Sequence, residues 1–380
     1  MNSIFRFVAT PLLGIVVLAG VVACEDQSPT ANKSTQNTNS EQVQNIESNL
    51  TFNDVTLEQA DEQGQSVWKM KAGQATYSKD KKVAQVKSPS GELFQDGKPV
   101  YQIRAQQGEI QQDGKQLFLK GDIVATDPRN GLVLRGNELE WLPQQDLLIV
   151  RNQLRGTHRQ VQAVAQEARV FSRASRVELQ GRVVANATDP VLQMRTEHLI
   201  WQIPEQKLIG DRPIQIDRYE GKKITDRATA NSSEVNLKTK VAKLTQNVQL
   251  ALLDPPLQVV SNSMIWNLNT ETLTADQPVR IVHPQQQVTL TAKQGRMDLQ
   301  KNIVYLTGDV YGVGQRRQSI KSKAMTWYVP SQLVEAEGDV VYKQLEPPVS
   351  FTGQKAVGKL QEQNIVVSGG RVETEIIPLE

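Results

Sequence analysis

Three histidines, one cysteine and a recurring Gly-Asp pair hold most of the side chains in this chain that could do chemistry. Their spacing decides which chemistry is open. His158 follows Arg155-Gly156-Thr157 and His283 precedes Pro284, as turn residues do, while His198 sits beside Glu197 in an alternating run. No two of them share a metal-ligand spacing, and with Cys24 the sole cysteine a zinc site would lack thiolates. Asp122, Asp309 and Asp339 each follow a glycine at the same point of a repeated phrase. They are spread along the chain, whereas a glycosidase gathers its acids at one place. Nucleophile elbows, Walker loops and dinucleotide fingerprints are absent from any strand-turn-helix context. The reading is a protein that is not an enzyme, with no metal and no cofactor.

The side chain whose spacing does recur is tryptophan, and its chemistry is apolar contact. "LRGNELEW", "MRTEHLIW", "VVSNSMIW" and "SIKSKAMTW" end at Trp141, Trp201, Trp266 and Trp327, at gaps of 60, 65 and 61 residues. Each phrase alternates: Leu139 and Trp141; Leu199, Trp201 and Ile203; Met264, Trp266 and Leu268; Met325 and Trp327 fall on one face. Glu140, Gln202, Asn267 and Thr326 fall on the other. Alternation at period two is the mark of half-buried strands, one face dry and one wet.

The tryptophan phrases belong to a finer repeat. A small residue recurs at Ala72, Ala105, Gly136, Ala165, Thr196, Ala230, Ser261, Ala292, Ser322 and Gly353, at a mean step of about 31 residues. Each unit also carries a second strand, "LFLKGDIVA", "VELQGRVVA", "VYLTGDVYG" or "VEAEGDVVY"; in "AKLTQNVQL" Gln246 replaces the glycine. An inward glycine marks a close approach or a bulge, and the expectation is that Gly181 and its equivalents make room for the facing tryptophans. Asp96-Gly97, Asp113-Gly114 and Asn130-Gly131 read as hairpin turns, so antiparallel pairing is expected. Ten units of two strands give an all-β body on the order of 20 strands. As two sheets packed face to face with ten strands each, it would be roughly 45–50 Å long. A transmembrane barrel fails, because Lys120, Glu178, Arg182, Lys293 and Asp309 would face lipid.

The N-terminus is a separate object. Residues 1–23 read as a signal peptide: Arg6, then the apolar Phe7–Ala23, with "VVAC" ending at Cys24. "VVAC" resembles a bacterial lipobox, which makes Cys24 the lipidation site; an uncleaved anchor helix is the alternative. Residues 24–48 read as a disordered linker and 49–380 as one continuous β-repeat body. Either N-terminal reading tethers that body to a membrane outside the cytoplasm. A net charge of +2 with both signs interspersed gives no footprint for nucleic acid.

At this point the residues resemble a known group. The stretch "NLTFNDVTLEQADEQGQSVWKMKAGQATYSKDKKVAQVKSPSGELF" (49–94), followed by L-x-G-D-V hairpins, resembles the lipopolysaccharide-export protein C (LptC) family and its OstA-like periplasmic relatives. Trp68 with Ala72, Tyr77 and "SPSGELF" carry the likeness, and this chain is about twice the usual length. The resemblance implies an elongated antiparallel two-sheet β-jellyroll, an open V-shaped stack of about ten hairpin repeats. It implies lipopolysaccharide or a related glycolipid as cargo, held by its acyl chains in an apolar groove. It implies an inner-membrane lipopolysaccharide ABC transporter upstream and an OstA-like periplasmic bridge protein downstream, joined by edge-strand pairing. Location would be periplasmic, tethered to the inner membrane. The groove candidates are the ten dry-face residues named above, which could instead fill the core between sheets. A structural or adhesive surface lipoprotein with no lipid cargo is the competing reading.

Overall fold

The computed structural model describes residues 50–380 apart from 81, 112–113, 347, 360–363, 370–372 and 377–380. The signal peptide, Cys24, the linker and Asp113 therefore lie outside the described residues. Among the described residues there are 28 strands in one sheet and two single-turn 3-10 helices, Pro143–Gln145 and Gln315–Arg317. No helix among them is long and apolar enough to cross a membrane.

Valine, leucine, isoleucine and threonine in alternation favour extended backbone, because branched side chains pack well on a pleated surface. The strands pair antiparallel, each with the one before and the one after it in the chain. Where a rung of this ladder is interrupted, two short strands share it. Lys207–Gly210 and Ile214–Glu220, for example, both pair with Val191–Gln202. Proline supplies three of these breaks, at Ser88-Pro89, Asp211-Arg212-Pro213 and Asp276-Gln277-Pro278, since it has no N–H to give the ladder. Seven rungs are split in this way, so the 28 strands make 21 rungs. The Asp96-Gly97 and Asn130-Gly131 turns are present, with Gly97 and Gly131 at φ 70° and 79°.

The ladder is creased along its middle. In Arg176–Thr188 the register slips between Gln180 and Val183, where Gly181 and Arg182 adopt φ of 75° and 47°. The same slip falls at Gly121-Asp122, Gly308-Asp309 and Gly338-Asp339. An extra residue on one strand bends it and breaks the pairing locally. On the neighbouring strand Leu192, Met194 and Thr196 are buried, and then Leu199 and Trp201. The inward face thus changes parity across the crease. One half of every rung belongs to a tryptophan arm and the other to an opposite arm, and the two apolar faces meet in one continuous core.

This geometry corrects two expectations. The sheets are not two stacks of ten strands; each rung crosses both arms, so 21 rungs at about 4.8 Å give a body of roughly 95 Å rather than 45–50 Å. The Gly-Asp glycines do not make room for tryptophan either. A Cβ on Gly181 would sit 2.1 Å from Gln166 Oε1, on the side chain of the preceding rung, with no indole near. Glycine is required there for its positive φ, and aspartate follows because it tolerates the left-handed region. The covering residue of the preceding rung closes the bulge from outside: Gln106 Nε2 donates to Asp122 Oδ2, Lys293 Nζ lies 2.7 Å from Asp309 and Lys323 Nζ 2.8 Å from Asp339.

Two copies without the glycine, Asn152-Gln153 and Gln246-Asn247, test this account. Gln246 and Asn247 hold φ of 66° and 52°, where a non-glycine residue costs on the order of 1 kcal/mol. Gln246→Gly should raise stability by up to about 1 kcal/mol, and Gly181→Val should lower it by about 1–3 kcal/mol. Urea midpoints check both; an unaltered midpoint for both variants would refute the crease assignment.

Candidate functional site

The interior between the arms is built from the inward alternate positions. All ten dry-face residues of the sequence reading, Leu139, Trp141, Leu199, Trp201, Ile203, Met264, Trp266, Leu268, Met325 and Trp327, are buried there. The four tryptophans stand at one register of the tryptophan arm, five residues after the small residue at the crease. They fall on every fourth rung, about 19 Å apart. On the second rung Tyr77 takes this register and packs edge-to-face on Phe52 at 5.9 Å. Trp68 sits on the opposite arm, paired with Leu93.

The edge away from the crease is where the turns of the two arms come together. There each tryptophan meets a partner from the opposite arm. Tyr101 packs edge-to-face on Trp141 at 6.0 Å, beneath the Arg129 guanidinium. His158 lies edge-to-face on Trp201 at 4.8 Å. The Arg218 guanidinium lies 5.9 Å from the Trp266 ring, and His283 lies 6.0 Å from Trp327. Sequence reasoning missed these partners and took His158 and His283 for turn residues. A signal was present: His158, Arg218 and His283 are 60 and 65 residues apart, the steps that separate Trp141, Trp201 and Trp266.

Polar contacts latch the same seam. Arg173 bonds Asp96 at 2.8 Å, Gln160 Nε2 donates to Gln206 Oε1 at 2.8 Å, and Lys240 Nζ meets Asp189 at 2.8 Å. Arg129 Nη1 donates to the Ser172 carbonyl at 3.3 Å, and Arg218 Nη1 to Glu271 at 3.1 Å. The buried carboxylates Asp127 and Asp226, on the same arm as these two arginines, hold them in place. Exposed pairs such as Lys240–Asp189 contribute about 0–1 kcal/mol each, so packing of the tryptophan column holds the arms together more than the latches do. These cross-seam bonds run from Asp96 to Glu271. Beyond them, between the arms, lies a small apolar cavity of about 30 Å³ lined by Val288, Leu290, Ile320, Met325, Val334 and Tyr342. Met325 is the one groove candidate that reaches it.

The outer face carries ion pairs that serve the ladder. Burial pushes the Asp217 carboxyl up, but donors from Arg227, Arg195 and Gln215 outweigh it and hold the group below the usual carboxylate range. His198 Nδ1 lies 2.7 Å from Asp211 beside a polar depression over the crease. Among the described residues no cluster of three or more His, Cys, Asp or Glu could hold a metal ion. The arrangement suits reversible enclosure of something apolar, with weak polar closures along one edge.

The sequence pattern of the family described as lipopolysaccharide-assembly, LptC-related, matches residues 12–148 and again 132–252. The two matches overlap, as expected for a doubled repeat, and the ladder continues through the residues beyond them without a change of geometry. No curated protein matches the chain.

His158 and His283 make the seam sensitive to acid. Burial lowers both pKa values, and the charge of Arg159 lowers that of His158 further. Below the ordinary value of 6.5 the unfolded chain takes up protons that the folded seam refuses. Stability is therefore full above that pH and falls as pH drops toward the lowered folded values. The melting temperature should fall between about pH 7 and 5, and His158→Gln with His283→Gln should flatten that part of the profile. A profile as steep in the double variant as in the parent would remove the histidines from this role.

Proposed function

The chain belongs to the lipopolysaccharide-assembly, LptC-related family and so serves lipopolysaccharide transport, and from that premise we propose that it carries the lipid between its arms. In this reading it is a periplasmic protein tethered to the inner membrane through Cys24 or an anchor helix. It takes lipopolysaccharide from the inner-membrane ABC transporter, shields the acyl chains, and passes the molecule to the next periplasmic β-jellyroll. The observation that carries the reading is the apolar interior running through all 21 rungs, closed along one edge by side chains alone. Each methylene kept from water there gains about 0.8 kcal/mol. Opening the seam breaks no backbone hydrogen bond, which is what a carrier that fills and empties needs.

Handover by strand pairing draws on the two ends. Thr51–Ala60 pairs only with Ser66–Tyr77, and the last strands, Asn364–Ser368 and Glu373–Ile376, pair only with Pro348–Lys359. Each end leaves one backbone edge among the described residues, the requirement for adding a partner strand. One observation favours the competing reading of a structural repeat without cargo: the interior is densely packed along the latched stretch.

A photo-crosslinkable residue at Met325 or Trp266, introduced in cells, should yield a lipopolysaccharide adduct. The same residue at Lys293, on the outer face, should not. Adducts at none of the interior positions would favour the structural reading.

A further inference from the structure

Five indole N–H groups are buried without a hydrogen-bond partner: Nε1 of Trp68, Trp141, Trp201, Trp266 and Trp327. A buried indole N–H normally finds an acceptor, and native proteins leave few such donors unmet. Here four of the five recur at one register of the repeat, so the same unmet donor has been placed four times. Phenylalanine or leucine would fill apolar space without stranding a donor. Nor do the seam partners supply a common acceptor, because the group beside Trp266 is a guanidinium, which has none.

Their position says what could arrive. Trp201 lies just ahead of the turn at 203–206 and Trp266 just ahead of the turn at 268–271, so the column stands at the seam side of the interior. An acyl chain lying between the arms with its head group outside brings its linking carbonyl to this depth. A bare hydrocarbon brings no acceptor at all. We infer that the tryptophan column hydrogen-bonds the carbonyl oxygens that join acyl chains to a sugar head group. It thereby selects ester- or amide-linked glycolipids over amphiphiles whose chains lack a carbonyl. This inference rests on the lipid-carrying reading above.

Two probes separate the possibilities: sucrose monolaurate and dodecyl maltoside, disaccharides whose equal chains are attached through an ester and a glycosidic oxygen. Binding to the full chain is followed by calorimetry below the micellar range, with tryptophan emission as a second readout. The ester should bind about three- to tenfold more tightly, the worth of one or two neutral hydrogen bonds, and should shift emission to the red. Trp141→Phe, Trp201→Phe, Trp266→Phe and Trp327→Phe together should bind both probes with the affinity of the alkyl glycoside. Melting curves check that the variant is folded, and Trp201→Phe with Trp266→Phe, which should lower the ester preference, serves if it is not. Equal binding of both probes by the parent chain, or an ester preference kept by the folded variant, overturns the carbonyl reading alone. Binding of neither probe overturns the lipid-carrying reading beneath it.

Discussion

Everything in this molecule depends on one antiparallel hydrogen-bond ladder that is bent, rung after rung, at the same place. A strand cannot turn through a crease while keeping every backbone pair. The cost is met locally by an extra residue in left-handed backbone, with a polar side chain from the next rung bridging the gap. Gly181-Arg182, facing Glu197, shows the device: the Arg182 N–H bonds Glu197 Oε2 at 3.1 Å in place of a ladder partner. Asn247 does the same with Asn262 Oδ1 at 3.2 Å. Because the device recurs in register, the bends line up, and a flat sheet becomes two facing arms.

The two long edges of that folded sheet are then energetically unlike. Along the crease the arms are continuous backbone, and separating them would mean breaking the chain's own ladder. Along the seam they meet through Trp141, Trp201, Trp266 and Trp327, their partners Tyr101, His158, Arg218 and His283, and a few polar bonds. Side-chain contacts of this kind can be exchanged for contacts with a guest of similar polarity; ladder bonds cannot. A hinge on one side and a replaceable closure on the other follow from the covalent and hydrogen-bonding order alone. The cavity beyond Glu271 lies where the polar closures run out, which fits a seam loosened toward the C-terminal end.

Much of this was legible in the sequence, because the periodicities are local. Alternation fixed which face of each strand is dry, and the burial of Leu199, Trp201 and Ile203 follows from it. The step of about 31 residues predicted the rung count to within one or two. What could not be read was anything set by the bend. Gly181 looked like an inward position because alternation was carried straight through a bulge, and the positive φ that explains it leaves no periodic trace. The body length was halved for a related reason: ten strands per sheet assumes that a strand belongs to one sheet. The seam partners carry no shared phrase, since His158 and Trp201 touch across 43 residues of chain, and only the matching steps of 60 and 65 residues link the two series.

The length of the chain is easier to understand once edges are counted. Adding a rung inside the ladder gives two more paired strand faces and leaves the number of free edges at two, whatever the total. Since unpaired edges are the liability of any open sheet, a doubled ladder carries no more exposure than a single one. Meanwhile the enclosed lane grows by about 4.8 Å per rung. The overlapping family matches at 12–148 and 132–252 are consistent with such growth. The constraint on growth is then register alone. An insertion that shifted one Gly-Asp pair by a single residue would turn a dry face outward on every rung half beyond it. The glycine-containing copies all keep the pair in phase, and the two copies without the glycine, at Asn152-Gln153 and Gln246-Asn247, still hold both residues in left-handed backbone.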